Sequence, residues 1–335
     1  MQAIQLEAYA GPGSLQLVEL DRPRPAVGEV LIEVQASGIN FAELELTWGR
    51  YTIPKAPPFI MGFEAAGIVA EVGPGVKNVQ IGDRVTSIVS SGGFADYAVA
   101  PGAAVIPIPV GISFEEATTI PIQGVTAYSL LSSAAELRVG ETVLIQSGAG
   151  GVGLYLVQLA KILGAGKVIA LAGTPEKVEL LRDLGADIVL NHEQGDWPEK
   201  VLEATQGKGV DVVLESAAGE IGKKSVGLCA PLGRIVVFGA KNVHEALPAE
   251  LVRQMIYKNQ TVTGFNLPSR PQEKLVTAVP LLLEWIVAKK IRIFADQRYA
   301  FADVRHAFEM LATRKSIGKV VLVPTESDIG EHRGR

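Results

Sequence analysis

The chain has 335 residues, 48% of them hydrophobic, with 31 basic and 36 acidic residues for a net charge of −5. This length is typical of two ordinary domains, and the composition supplies enough apolar residues for buried cores. A mildly acidic chain disfavours a general nucleic-acid or anionic-membrane surface. No apolar run reaches bilayer-spanning length, the first residues lack the basic-then-apolar pattern of a signal peptide, and the single cysteine rules out an intrachain disulfide. We therefore expect a cytoplasmic protein with no membrane or nucleic-acid partner.

The first stretch, residues 1–122, has the pattern of short strands separated by turns. Residues 29–34 alternate between apolar and polar side chains, as a half-exposed strand does, and residues 67–72 and 84–89 are similar. Turn sequences such as Gly73-Pro74-Gly75 separate these runs. Many short strands with frequent turns predict an antiparallel barrel or sandwich.

The rhythm changes in the middle stretch, residues 123–266, where apolar strand-like runs alternate with helical patterns. This alternation predicts α/β architecture with a doubly wound parallel sheet. The predicted strands lie at 143–147, 168–171, 188–190, 210–214, 235–238 and 262–265.

The third stretch, residues 267–335, contains a helical pattern at 275–286, a second one near 304–311 and a strand-like run at 319–323. We expect this stretch to return to the first domain, because so short a segment cannot bury its own apolar face. Residues 325–335 are polar, and we expect them to be frayed.

A glycine loop lies between the first predicted strand of the middle stretch and an amphipathic helix. Its Gly-x-Gly-x-x-Gly pattern lets the backbone approach a pyrophosphate, whose charge the helix N-terminus then stabilises. The alternative is a glycine turn that only packs the helix closely against the sheet. The first interpretation predicts a dinucleotide site that includes Gly148, Gly150, Gly151, Val152 and Gly153.

The end of the next strand bears on the choice between NAD and NADP. NAD-binding proteins usually place a carboxylate there for the ribose hydroxyls, whereas this strand ends in Ala172-Gly173-Thr174. Lys177 follows in the first turn of the next helix, and His192 follows the third strand, so both are placed to bind a 2′-phosphate. Glu176 opposes this interpretation, and surface positions are the alternative for both basic residues. We predict NADPH as the cofactor, bound in part by Gly173, Thr174, Lys177 and His192.

Several further motifs occur in a recognisable order. They begin at Gly28 (Gly-Glu-Val-Leu-Ile), Ser37 (Ser-Gly-Ile-Asn-Phe), Gly62 (Gly-Phe-Glu-Ala-Ala-Gly-Ile-Val), Gly82 (Gly-Asp-Arg-Val) and Gly124 (Gly-Val-Thr-Ala-Tyr). With the glycine loop, they resemble the quinone oxidoreductase (zeta-crystallin-like) branch of the medium-chain dehydrogenase/reductase superfamily over nearly the whole chain.

The resemblance implies a Rossmann doubly wound parallel sheet inserted in a GroES-like, mainly β catalytic domain. It also implies a cofactor in the cleft between the two domains. Finally, it implies a homodimer formed through the edge strand of the Rossmann sheet, at residues 261–265.

The same resemblance implies an enzyme without zinc. Alcohol dehydrogenases of this superfamily bind a catalytic zinc through cysteine and histidine, but Asn40 stands at the first cysteine position and Phe63 at the histidine position. Neither supplies the expected ligand. Without a Lewis acid, a quinone or conjugated alkene is a more feasible acceptor than an alcohol, because it is already electrophilic and needs mainly orientation and hydrogen bonding.

By resemblance, Asn40 and Tyr51 are the catalytic candidates at the nicotinamide end of the pocket. Asn40 would donate to a ribose or substrate oxygen, and Tyr51 would stack on or hydrogen-bond to a quinone. Glu45 stands where many relatives have a tyrosine, which leaves the shape of the acceptor pocket open. Further cofactor contacts are expected from Thr126, Ser216, Phe238, Phe265, Asn266 and Lys319, with ordinary packing as the alternative for each.

Two other functions stay open at this point. One is an enone or enoyl-thioester reductase, which shares the fold and the cofactor. The other is an NADPH-binding structural or RNA-binding protein with little turnover. The main prediction is a zinc-independent NADPH:quinone oxidoreductase that transfers a hydride to a small-molecule electron acceptor.

Overall fold

The computed structural model describes residues 1–51, 56–89, 92–239, 249–269 and 272–324. The chain forms two compact units, one of Met1–Ile122 with Ile293–Arg335 and the other of Gln123–Arg292. The first change of unit coincides with the predicted boundary after residue 122. The predicted tail, residues 325–335, lies outside the described residues.

The chain returns to the first unit at Ile293 and not at residue 267, where the sequence predicted the return. The reason is helix α9 (Gln272–Val287), which packs against helix α3 (Val125–Ser129) of the second unit. Gly124 permits this packing, since a β-carbon there would lie 3.2 Å from Leu282 Cδ1. The helix therefore buries its apolar face in the second unit and needs no return to the first.

The first unit is mainly antiparallel β structure, as predicted. Numbered along the chain, its strands are β1 (Gln2–Leu6), β2 (Leu15–Glu19), β3 (Glu29–Ile39), β4 (Phe59–Ile60), β5 (Glu64–Val72), β6 (Arg84–Ile88), β7 (Tyr97–Pro101), β8 (Ile106–Pro107), β15 (Gln297–Ala300) and β16 (Val320–Val323). Its helices are α1 (Phe41–Thr47), α2 (Phe114–Ala117) and α10 (Val304–Ala312).

Strand β3 organises this unit. It pairs antiparallel with β5, β7 and β16 within a seven-stranded sheet, and a second sheet has the order β2-β1-β4. The register of β16 sets Val320 opposite Ile39, so Lys319 arrives beside Asn40 although 279 positions separate them in sequence. Apolar side chains pack beneath the sheets, among them Ile4, Leu6, Phe94, Phe301 and Phe308 in one cluster and Val30, Ile32, Val69 and Val85 in another.

The second unit contains the predicted doubly wound sheet, with strand order β11-β10-β9-β12-β13-β14 and parallel pairing throughout. Its strands are β9 (Thr142–Ile145), β10 (Lys167–Ala172), β11 (Ile188–Asn191), β12 (Val210–Glu215), β13 (Cys229–Val237) and β14 (Thr261–Gly264). With α3 and α9, its helices are α4 (Gly151–Ile162), α5 (Pro175–Asp183), α6 (Trp197–Ala204), α7 (Gly219–Gly227) and α8 (Ala249–Lys258).

Both faces of this sheet are covered, which explains why its strands are nearly continuous apolar runs. Leu144, Ile169, Val213 and Ile235 are fully buried in one cluster with Trp197 of α6. Because the strands are parallel, their carboxyl ends meet at one edge of the sheet, where ligands of such folds bind. Within the described ranges, no helix is both long and apolar enough to cross a bilayer.

Candidate active site

The predicted glycine loop joins the end of β9 to the start of α4. Ser147 takes a left-handed conformation (φ 49°), and the Gly150 amide donates to Ser147 O at 2.9 Å, which turns the chain tightly into the helix. The Gly148 amide donates to Leu171 O at 2.9 Å, so the loop is fixed to the neighbouring strand β10. The N-terminus of the 12-residue helix α4 then follows at the carboxyl edge of the sheet. This is the geometry that binds a pyrophosphate.

Close packing requires one of the three motif glycines and crowds a second. A β-carbon at Gly153 would lie 2.2 Å from Ser147 O, and one at Gly148 would lie 2.7 Å from Leu181 Cδ1. A side chain at Gly153 would push helix α4 away from the loop, whereas one at Gly148 would have to displace the Leu181 side chain. The glycine turn therefore packs the helix closely, which was the alternative interpretation of the sequence. The same packing also fixes the geometry of the phosphate-binding loop.

The structure brings Gly173 and His192 together at the ends of β10 and β11. A β-carbon at Gly173 would lie 3.2 Å from His192 Cε1, and the His192 amide donates to Ala172 O at 3.0 Å. His192 Nε2 lies 3.3 Å from a carboxylate oxygen of Glu193, a neighbour that the sequence reasoning did not consider.

Thr174 and Lys177 lie next to this pair, at the start of α5. Thr174 is the N-cap of the helix, and its hydroxyl accepts a hydrogen bond of 3.4 Å from the Lys177 amide. The Lys177 side chain is partly buried, and this burial lowers its pKa, while Glu176 opposes the shift. An anion bound beside the ammonium would reverse the effect of burial by favouring the charged form.

Four other predicted contacts of the second unit follow strand ends at the same sheet edge. Ser216 follows β12, Phe238 follows β13, and Phe265 and Asn266 follow β14. Phe238 is buried, whereas Asn266 is exposed. Thr126 is buried within α3. Cofactor contact for these residues stays a prediction.

Gln146 is a residue of this edge that the sequence reasoning missed. Its side-chain oxygen accepts hydrogen bonds from the amides of Ser216 at 3.0 Å and Ala217 at 2.8 Å, which ties the loop after β12 to the glycine loop. The next residue, Ala218, has a left-handed backbone and donates to the Glu215 carboxylate at 2.6 Å. The position of Gln146, between an apolar strand and the glycine motif, was the signal that could have identified it.

In the first unit, Asn40 lies in a buried network of charged side chains. Lys319 Nζ donates to Asn40 Oδ1 at 2.7 Å and also to a Glu64 carboxylate oxygen. Asn40 Nδ2 donates to the same Glu64 oxygen at 2.9 Å and lies 3.3 Å from Glu43 Oε2. Glu43, Glu64 and Lys319 have no exposed surface. Asn40, Glu43, Glu64 and Lys319 are together called the buried network.

This network changes what Asn40 and Lys319 can do. Both Nδ2 hydrogens of Asn40 are directed at carboxylates, so this conformation leaves neither of them for a substrate oxygen. Lys319 was predicted to contact the cofactor, but the structure gives its ammonium group protein partners only and encloses it completely.

Glu43 is the second residue that the sequence reasoning missed. It is the third residue of α1 and reaches back to the amide of the N-cap residue Asn40 at 2.8 Å, as the acidic residue of a capping box does. Its other oxygen accepts from the Phe63 amide at 2.9 Å. The Asn40-x-x-Glu43 spacing was a recognisable signal, but its contact with Phe63 is tertiary and could not be read from it.

Tyr51 stands beside this network. Its ring packs against that of Phe63 in a tilted arrangement, with a centroid distance of 6.4 Å. Burial raises the pKa of the Tyr51 hydroxyl, and the nearby Glu43 carboxyl raises it further. The hydroxyl therefore stays protonated at neutral pH and can donate a hydrogen bond.

Glu45, which was expected to alter the acceptor pocket, is buried. Its carboxylate lies 3.8 Å from Arg50 Nη1, and the Arg50 guanidinium lies 5.6 Å from the centre of the Trp48 ring. Arg50 therefore offsets part of the negative charge that Glu45 brings to this region.

Burial dominates the electrostatics of the two network carboxyls. It raises the pKa of Glu43 to about 8, although the amides of Asn40 and Phe63 favour the charged form. Burial also raises the pKa of Glu64, where the Lys319 ammonium and the Asn40 amide oppose the shift. With Glu43 protonated, the negative charge of Glu64 and the positive charge of Lys319 balance.

These residues do not fit a catalytic zinc ion. Phe63 offers no donor atom, and the oxygens of Asn40 and Glu64 already bind an ammonium group, whose charge would repel a dication. Throughout the described part of the chain, no group of three or more histidine, cysteine or acidic side chains has the geometry to hold a metal ion.

Comparison with known proteins agrees with this architecture. The zinc-binding dehydrogenase family model matches residues 151–284, and the alcohol dehydrogenase GroES-like domain matches residues 26–110. The quinone oxidoreductase of Pseudomonas aeruginosa is 34% identical over 325 residues, which cover 96% of this chain and 99% of that protein. The chain belongs to the quinone oxidoreductase family of medium-chain dehydrogenases and reductases.

Solved structures of this family superimpose closely. Escherichia coli quinone oxidoreductase complexed with NADPH matches with a TM-score of 0.89 at 33% identity, over 97% of this chain and all of that one. CurK enoyl reductase matches with a TM-score of 0.86 at 30% identity, over 96% of this chain and 98% of that one. The predicted fold, a Rossmann sheet inserted in a GroES-like domain, is confirmed.

The chain also matches part of a much larger protein. It is 32% identical over 342 residues to the highly reducing polyketide synthase phiA of a fungus, and it spans only 13% of that protein's length.

Glu43 makes the stability of the fold depend on pH. Its carboxyl ionises near pH 4.5 in the unfolded chain but near pH 8 in the native state, so unfolding releases a proton between these values. The contribution of Glu43 to the free energy of unfolding should be fully present below pH 4.5 and should be lost, by up to about 5 kcal/mol, as the pH rises through 8. Chemical denaturation of wild type and Glu43→Gln across this range measures the effect. The variant should show a flatter pH dependence, and two parallel curves would contradict the assignment.

Proposed function

We propose that this chain is an NADPH-dependent oxidoreductase that reduces quinones or activated alkenes without zinc. The observation that carries the proposal is the cofactor edge of the second unit, where the glycine loop lies beside a strand end with no carboxylate. In its place stand Gly173, Lys177 and His192. The NADPH bound by the E. coli relative supports the same choice of cofactor.

The second unit would bind and orient the cofactor. The N-terminus of α4 and the glycine loop would hold the pyrophosphate, while Lys177 and His192 would bind the 2′-phosphate. Bound NADPH supplies the hydride. Gln146 would keep the loop after β12 in place, because both of its hydrogen bonds fix backbone amides of that loop.

The first unit would orient the acceptor and stabilise its developing charge. Tyr51 is the residue best suited to this role, since it is partly exposed and its hydroxyl stays protonated. One hydrogen bond to the developing oxyanion is the stabilisation that an electrophilic acceptor needs. Asn40 would act indirectly, because its amide is bound within the buried network.

An enone or enoyl-thioester reductase is the second candidate. The close match with CurK enoyl reductase favours it, as does the match with a segment of a polyketide synthase. Both candidates require the same hydride donor and the same stabilisation of an enolate or quinol oxygen. Only the preferred acceptor therefore distinguishes them. The cytoplasmic location expected from the sequence remains a prediction that cell fractionation would test.

A panel of acceptors tests the proposed reaction. Oxidation of NADPH, followed by its absorbance, is measured with quinones, enones, enoyl thioesters and aldehydes. We expect turnover with quinones or enones and none with simple aldehydes, because only the former are electrophilic without a Lewis acid. Turnover confined to enoyl thioesters would establish the second candidate. Tight NADPH binding without any turnover would contradict both and favour a binding protein.

The cofactor preference should depend on Lys177. In the Lys177→Ala variant, loss of a charge-assisted hydrogen bond to the 2′-phosphate should weaken NADPH binding by roughly 10- to 100-fold and leave NADH binding unchanged. Fluorescence titration with both cofactors measures this. Lys161→Ala is the control, since Lys161 lies in the last turn of α4 and pairs with Asp187 at 3.0 Å. Equal affinity of the wild type for NADH and NADPH would overturn the preference.

We also propose that two copies pair through β14. Among the described strands, β14 bonds only to β13, so its other edge can add a strand from a second copy. Val262 on this strand is 41% exposed, and Ile256 and Tyr257 of the preceding helix are 71% and 80% exposed. Light scattering should give a dimer for the wild type and a monomer for Val262→Lys, because a charge on an edge strand blocks pairing. A monomeric wild type would contradict the proposal.

A further inference from the structure

Lys319 is a fully enclosed cation that the reaction described above does not use. Its side chain has no exposed surface, and its ammonium group binds Asn40 Oδ1 at 2.7 Å and the Glu64 carboxylate. Removing an ammonium and a carboxylate from water is costly, and apolar residues of similar volume often stabilise a fold as well or better. A buried ion pair of this kind is therefore weak evidence for a role in stability alone.

The absence of a side chain at Gly38 leaves room for this cation. Gly38, on β3, lies against it, and a β-carbon there would come within 2.0 Å of Lys319 Cε and 2.6 Å of Glu64 Oε1. Gly38 does not have the left-handed conformation that favours glycine, so the close approach of Lys319 is what excludes a side chain.

A continuous series of contacts leads from the ammonium group to the proposed acceptor side chain. Lys319 and Glu64 hold the two ends of the Asn40 amide. The Asn40 backbone amide is bound by Glu43, whose other oxygen binds the Phe63 amide at 2.9 Å. The Phe63 ring in turn packs against Tyr51. The position of the tyrosine ring therefore depends on groups that Lys319 fixes.

We propose that Lys319 is a positioning residue of the acceptor site, which acts by fixing Glu64 and Asn40 and thereby the Phe63 backbone that supports Tyr51. The inference rests on the proposed function, because its effect is read in acceptor reduction. It assigns Lys319 no contact with the cofactor. Removal of a cofactor ligand would weaken NADPH binding. Removal of a positioning residue would lower kcat/KM for the acceptor and leave NADPH binding unchanged.

The first experiment displaces the network without removing any charge. Gly38→Ala should lower kcat/KM for the acceptor by about a hundredfold, the effect expected from misplacing a reacting group by about 1 Å. Its NADPH dissociation constant should stay within about threefold of wild type, since a change of that size is well below the loss of one hydrogen bond to a charged group. Gly13→Ala is the matched control in the same unit, because a β-carbon there meets no atom within 4 Å.

The second experiment removes the cation and restores it. Lys319→Ala should show the same loss in acceptor kcat/KM, and added propylammonium, which replaces the missing side-chain atoms, should recover part of it. The neutral analogue 1-propanol should recover none, because the network needs the charge as well as the volume.

A third experiment covers the case in which Lys319→Ala does not fold. The melting temperatures of Lys319→Met, Glu64→Gln and the double variant form a double-mutant cycle. The double variant should melt above Lys319→Met alone, because removing both charges leaves no buried carboxylate without a partner.

The outcomes separate the inference from the proposed function. Loss of NADPH affinity in Lys319→Ala equal to its loss in acceptor kcat/KM would identify a cofactor ligand and overturn the inference. Normal acceptor reduction in Gly38→Ala, or additive losses in the double-mutant cycle, would also overturn it while the wild type remains active. A wild type that reduces no acceptor would overturn the proposed function, and the inference with it.

Discussion

The ion pair of Lys319 with Glu64, which also includes Asn40, connects three distant segments of the first unit at the proposed acceptor site. It joins the start of β16 to the end of β3 and the start of β5, three segments that are far apart in the sequence. Antiparallel pairing of β16 with β3 sets the register, and Gly38 leaves the space. The position of helix α1, and of the residues that follow it, is then determined by Asn40 and Glu43 at its N-terminus.

An ammonium group at this place has chemical consequences. Related dehydrogenases use a zinc ion to lower the energy of an alkoxide, whereas Lys319 is bound to protein oxygens and cannot polarise a substrate that it does not touch. On the proposed function, the acceptor must therefore be reactive without a metal, and the protein would contribute orientation and a hydrogen bond from Tyr51. The lack of suitable zinc ligands at Asn40 and Phe63 therefore favours the proposed class of substrate.

Much of the fold could be predicted from the sequence, because its signals are local. Six apolar runs gave six parallel strands, and the glycine motif located the turn from β9 into α4. The return to the first unit was wrongly placed at residue 267, because helicity is visible in the sequence of α9 but its packing partner, α3, is not.

The candidate site was less predictable, because its contacts join residues that are far apart in the sequence. Asn40 and Tyr51 were identified by family resemblance, but the partners of Asn40 come from three different elements and no spacing reveals them. Lys319 shows the limit most clearly, since a lysine before a closing strand suggests a surface position or a ligand contact, and only the register of β16 reveals its burial.

The central claim is that this oxidoreductase reduces its acceptor without a metal ion, because the oxygens of Asn40 and Glu64 bind the Lys319 ammonium group. The most direct test is NADPH oxidation with a quinone by wild-type protein that has been stripped with a chelator and shown by elemental analysis to contain no metal. We predict that the stripped protein keeps its full rate and that added zinc has no effect. Loss of activity on stripping, with recovery on addition of zinc, would contradict the claim.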